Sequence, residues 1–139
     1  MTTMDNHKLV KLSDTNETIK LGDEDVRRHL VKDKNGEDIG KVHDLLVDLT
    51  ENKVRFLVVE SGGFLGMGEK RSFIPVDAIS LITKDEVHLG HSRQRVAGAP
   101  PYDPELINNR EYNQNSYAYY GYAPYWSGGY LYPNLLVAR

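Results

Sequence analysis

Between residues 26 and 89 the chain is cut into five or six short apolar runs, and each run ends in a turn signal. That repetition within about 65 residues leaves no room for a long helix and predicts a small all-β unit. Residues 26–31 read as a first strand. Asn35-Gly36 then marks a tight hairpin, because both residues tolerate positive φ. A second strand covers residues 39–49. Leu45, Val47 and Leu49 alternate, but Val42 falls on the opposite phase, which predicts a bulge near His43-Asp44. Glu51-Asn52-Lys53 is a turn. Residues 54–60 are apolar on both phases, as in a central strand covered on both sides. After a glycine-rich connection, residues 71–75 and 78–83 read as two strands parted by Val76-Asp77, and residues 87–89 as a short last one. The expected fold is a small antiparallel β-barrel of five to six strands. Its expected core is Val42, Leu45, Val47, Phe56, Val58, Ile74, Ile79 and Leu81.

Three segments follow: an N-terminal arm (1–25), the barrel (26–92) and a tail (93–139). The arm is polar, with alternation at residues 8–12 and 18–21 and the acidic cluster Asp23-Glu24-Asp25, and is expected to hold at most short strand or helical pieces. The tail opens at Ala99-Pro100-Pro101, which favours extended chain. Glu105-Leu106-Ile107 could start a helical turn. Beyond Arg110 the tail is Tyr, Asn, Gln, Ser, Gly and Pro, with no aliphatic periodicity, and an extended conformation is expected. The aromatics divide at the same place. The three phenylalanines precede Pro100, whereas all nine tyrosines and the one tryptophan follow it.

The chain has no cysteine, which excludes disulfides, thiolate catalysis and zinc fingers. It has no apolar run near the roughly 20 residues of a spanning helix and no apolar stretch at its start of the secretory type. A cytoplasmic protein is expected. Net charge is -3. Residues 1–100 carry 15 Lys/Arg against 17 Asp/Glu, and residues 101–139 carry 2 against 3. Neither part has the basic excess that neutralises a run of phosphates.

Several motifs have plain structural explanations. The glycine-rich segment 62–70 lacks the Gly-Lys-Ser/Thr ending of a phosphate loop and reads as a strand connection, with Phe64 and Leu65 turned inward. Asp33-Lys34-Asn35-Gly36 puts its glycine too early for a calcium loop. His88 and His91 lie three apart at a strand end, where their side chains diverge, so no metal site is expected. No residue is assigned as catalytic or cofactor-binding. Asp25 and its acidic neighbours beside Arg27-Arg28 read as a solvated face. The tail is the remaining candidate. Tyr117, Tyr119, Tyr120, Tyr122, Tyr125, Trp126 and Tyr130 combine apolar area with a polar handle, as interface residues do. No Lys or Arg lies between Tyr112 and Tyr132, which argues against base stacking on nucleic acid.

The stretch Val31-Lys32-Asp33-Lys34-Asn35-Gly36-Glu37-Asp38-Ile39-Gly40-Lys41-Val42-His43-Asp44-Leu45-Leu46-Val47-Asp48 resembles the opening of a PRC-barrel domain. Val54-Arg55-Phe56-Leu57-Val58-Val59-Glu60-Ser61-Gly62-Gly63-Phe64-Leu65-Gly66-Met67-Gly68, followed by Phe73-Ile74-Pro75-Val76-Asp77-Ala78-Ile79, is similar to the rest of that domain. The resemblance implies an all-β barrel that binds or scaffolds without catalytic residues. It is shared by the photosynthetic reaction-centre H subunit and by ribosome maturation factors of the RimM type. The former has a membrane helix and the latter a preceding barrel, and neither is visible here, so neither role transfers. The expected function is a non-enzymatic protein-interaction adaptor. Its Tyr-rich tail docks on its own barrel, on a sister subunit of a homodimer, or on a partner. The alternatives are an RNA-processing or ribosome-associated factor using Lys53, Arg55, Lys70 and Arg71, and an H-subunit-like scaffold.

Overall fold

The computed structural model describes residues 8–15, 25–62, 69–133 and 137–138. Among these residues eight strands form one curled sheet: β1 (Leu9–Lys11), β2 (Leu30–Lys32), β3 (Asp38–Asp48), β4 (Lys53–Gly62), β5 (Glu69–Pro75), β6 (Ile79–Thr83), β7 (Glu86–Leu89) and β8 (Val137–Ala138). Two helices follow β7, namely α1 (Arg93–Ala97) and α2 (Arg110–Tyr120). The strand order is β5-β4-β3-β2-β7-β6-β8. β1 joins β3 at its C-terminal half, on the edge whose N-terminal half β2 occupies.

The barrel expectation holds in outline, but the sheet is mixed rather than antiparallel. β2 runs parallel to β7, and β6 parallel to β8. Parallel pairing between β2 and β7 needs a long crossover, and β3 to β6 supply it. The strand expected from Val26 is β2 and begins at Leu30, because residues 26–29 form a turn in which Arg28 has φ 75°. Part of the expected arm belongs to the sheet: Leu9 is buried, and Asn108 brackets it with two bonds, Leu9 N–H to Oδ1 (2.7 Å) and Nδ2–H to the Leu9 carbonyl (3.1 Å). The alternation at residues 18–21 and the inward turn of Phe64 and Leu65 lie outside the described residues.

Asn35-Gly36 makes the β2–β3 hairpin, with Gly36 at φ 84°. The bulge near His43 is present: Val42 faces Val59 and Asp44 faces Val58, so His43 is the extra residue. A second irregularity follows, where Leu46 faces Phe56 and Val47 faces Val54, leaving Arg55 as the extra residue of β4. Asp44 to Asp48 are buried in series, Leu45 and Val47 facing the inside of the curl and Leu46 the second cluster.

Every residue from Val54 to Val59 is buried, and alternate residues serve two separate cores. Val54, Leu57 and Val59 join Val42, Leu45, Val47, Ile74 and Ile82 inside the curl. Phe56 and Val58 point the other way, into a second cluster with Leu9, Leu46, Phe73, Tyr117 and Tyr125. Three expected core positions change. Phe56 and Val58 are buried on the outer face, not in the barrel interior. Leu81 is only half-buried, and Ile82 takes its place, because a register shift between Ile79 and Leu81 turns β6 over.

The tail is not extended throughout. Its residues 110–120 form α2, with the Asn109 side chain accepting from Tyr112 N–H at the start and Gly121 in the left-handed conformation at the end. Both are standard helix boundaries.

Candidate interaction surface

Burial on the outer sheet face starts from two rings. Phe56 on β4 and Phe73 on β5 stack with centroids 4.0 Å apart. Neither has polar atoms, so this face needs a cover, and α2 provides it. Tyr117 is fully buried, with its ring 5.0 Å from Phe56, and Tyr112 stacks on Phe73 at 5.2 Å. Ser116 Oγ lies 3.4 Å from the Phe73 carbonyl. Trp126 meets Tyr117 edge-on at 6.0 Å, and Arg110 lies over the indole at 4.6 Å. Each favourable ring pair adds about 0.5–1.5 kcal/mol beyond the area it buries.

Tyr119, Tyr122, Tyr130 and Tyr132 fasten the tail through their hydroxyls. Tyr119 Oη donates to the Arg95 carbonyl (2.6 Å), and the Arg95 guanidinium covers its ring at 4.3 Å. Tyr122 Oη lies 2.9 Å from His91 Nε2. Tyr120 reaches the interior core and contacts His91 edge-on. Tyr130 Oη donates to Asp77 Oδ2 (2.9 Å), and Tyr132 Oη to the Val54 carbonyl (3.1 Å). All seven tail residues singled out from sequence therefore touch described parts of their own chain. Tyr102, Tyr112, Tyr132, Asn108 and Asn113 belong with them and were missed. Asn113 donates to the Ile107 carbonyl (2.9 Å), and its burial beside Ser116 and Tyr117 is a helical spacing built from polar residues.

Arg55 is the charged centre under this cover. It is 3% exposed, donates to Asp48 Oδ2 (3.2 Å) and Glu51 Oε1 (2.7 Å), and its guanidinium lies 4.4 Å from the Tyr125 ring. Desolvation works against its charge, but Asp48 and Glu51 outweigh that and hold its pKa above the ordinary value. Asp77 is pushed up by burial, more than its bond from Tyr130 restores. Burial also pushes Tyr102 up to about 12.

The residues expected to form an RNA-facing basic patch do not present one. Arg55 is buried, Lys53 stacks on Tyr132 (4.6 Å), Lys70 donates to the Ala97 carbonyl and Arg71 pairs with Glu60. Lys53 also lies at the far end of β4 from the residue that faces Lys70, about 25 Å away along the strand. His88 pairs with Glu86 and His91 with Tyr122, so the two histidines have separate partners. Asp25 is bidentate on Arg27, at 2.9 and 2.8 Å.

The buried carboxylates all serve joints in the fold. Asp33 accepts from the N–H groups of Asn35, Glu37 and Arg93, tying the hairpin to the start of α1. Asp44 at the bulge accepts from Ser13 N–H, Ser13 Oγ and Leu45 N–H. Asp48 accepts from Thr50 N–H and from Arg55. Among the described residues no three His, Asp or Glu side chains group as metal ligands, and no helix is long and apolar enough to cross a membrane.

A curled, mixed β-sheet joined through a β2–β7 parallel pair and lined by aliphatic residues on its inner face defines a half-barrel β domain. The family model of the PRC-barrel domain matches residues 21–91, and the chain belongs to that family. No curated protein matches the chain.

Proposed function

We propose that this chain is a non-catalytic protein-interaction module in which the Tyr-rich tail covers its own barrel and leaves the rest of the barrel surface to partners. The PRC barrel is a general protein-interaction fold. The family match carries the interaction reading, and the covering role of the tail rests on the burial of Tyr117 and Tyr125 in one cluster with Phe56 and Phe73, which commits these rings to their own chain. The buried charges support it too, since Asp33, Asp44, Asp48 and Arg55 are committed to turns and strand joints. The ribosome-associated alternative loses the basic patch it named. The test is affinity capture with the intact chain, then reconstitution with the purified partner. A stoichiometric complex formed by the monomeric chain supports the reading. Failure of every captured candidate to reconstitute overturns it.

A further inference from the structure

A groove of 420 Å³ opens where the 26–29 turn meets the β6–β7 turn. Among the described residues its walls carry Arg27, Arg28, His29, Leu30, Lys41 and Lys84, with Asp85 as the one acid. It adjoins a cavity of 510 Å³ that shares Arg27 and Arg28 and reaches Ser13 and His43. In a chain of net charge -3 this is a local reversal of sign. Asp25 neutralises Arg27, but among the described residues no acid pairs with Arg28, Lys41 or Lys84. The walls are fixed by the backbone. Arg28 N–H donates to the Val42 carbonyl, Val42 N–H to the His29 carbonyl and Leu30 N–H to the Asp85 carbonyl, while His29 Nε2 lies 3.1 Å from the Thr83 carbonyl.

Arg28 adopts φ 75°, a conformation that costs a non-glycine residue strain. Glycine would relieve that strain, yet the position holds a long cation. The backbone N–H groups of Arg27, Arg28, His29 and Leu30 all have internal acceptors, so no convergent nest of N–H donors faces a single small anion. Long side-chain cations on three different elements remain, with Leu30 39% exposed among them. That layout fits carboxylates spaced along a chain with an apolar side chain between them. Three unpaired cations are too few for a run of nucleic-acid phosphates, and Asp85 sits in the wall.

We propose that this groove binds an acidic peptide segment of a partner protein, with Arg28, Lys41 and Lys84 taking its carboxylates and Leu30 an apolar side chain. The proposal rests on the interaction-module reading and names where that interaction occurs.

The experiment uses the intact chain and a fluorescein-labelled peptide of alternating glutamate and leucine, with a lysine–leucine peptide, a single-stranded RNA oligonucleotide and inorganic phosphate as comparisons. The expected result is binding of the acidic peptide alone. It should weaken with salt as exposed charges are screened and weaken about tenfold or more in the Lys41→Glu/Lys84→Glu variant. Arg28→Gly separates site from scaffold: its melting temperature should stay level or rise while peptide affinity falls. Tighter binding of RNA, displacement by millimolar phosphate, or unchanged affinity in both variants would each overturn the proposal. If the variants still reconstitute with a captured partner as the parent does, the groove is refuted and the interaction-module reading stands.

Discussion

Phe56 lies between two layers of protein, so its loss is felt by both the sheet and the tail. Phe56→Ala should cost about 3–5 kcal/mol, as for other buried aromatics, read by chemical denaturation. A near-neutral effect would mean that the tail does not seal this face. Gly40 is constrained by a close approach rather than by φ: a Cβ built there would sit 2.1 Å from the Glu60 carbonyl oxygen, which is backbone and cannot step aside. Gly40→Ala should therefore destabilise by about 1–3 kcal/mol or more, in the range of overpacked cores. His91 gives the pH dependence. Burial first, then Arg95 and Lys34, lower its pKa from 6.5. Its unfolded form takes up the proton more readily, so the stability it contributes is complete above about pH 6.5 and declines as pH falls below that value. Melting temperatures measured from pH 8 to pH 5 should show this decline, and His91→Gln should flatten it.

The strands were largely readable because turn chemistry and the period of two are local. Asn35-Gly36, Asn52 at φ 55° and the phase break at Val42 each announced a feature that is present. Leu81 and Ile82 were exchanged because the β6 irregularity depends on its pairing with β7, which no local pattern carries. Helix α2 was missed for a different reason. Its buried positions, Asn113, Ser116, Tyr117 and Tyr120, keep helical spacing, but two are polar, and a search for aliphatic periodicity passes over them. The boundary residues were the available signal, with Asn109 as cap and Gly121 past the end. The cap has a measurable value: Asn109→Ala should cost about 1 kcal/mol, and hydrogen exchange should show α2 opening more often while β3 and β4 keep their protection.

For the molecule as a whole, the division of aromatics at Pro100 announced two chemical segments but not their relation. Which of the tail's rings met the barrel depended on contacts between residues far apart in sequence, such as Phe56 with Tyr117 and Leu9 with Asn108. The buried-on-both-sides pattern of residues 54–59 did hold half the answer, since it required a cover for the second face. A stop after Ala99 should expose Phe56, Val58 and Phe73 together. Calorimetry should then find a lower melting temperature and size-exclusion chromatography self-association. A truncated chain that melts and elutes as a monomer like the parent would show that the tail is dispensable to the barrel.

The order of these segments along the chain also has a consequence for biosynthesis. β7 ends at Leu89, and the rings that shield the outer face extend to Tyr130. At about 5–20 residues per second, a ribosome needs roughly 2–8 s to make that remaining stretch. Until those rings have been made and have left the ribosome, the stacked phenylalanines lack their cover, so an incomplete chain is expected to self-associate more readily than the finished one.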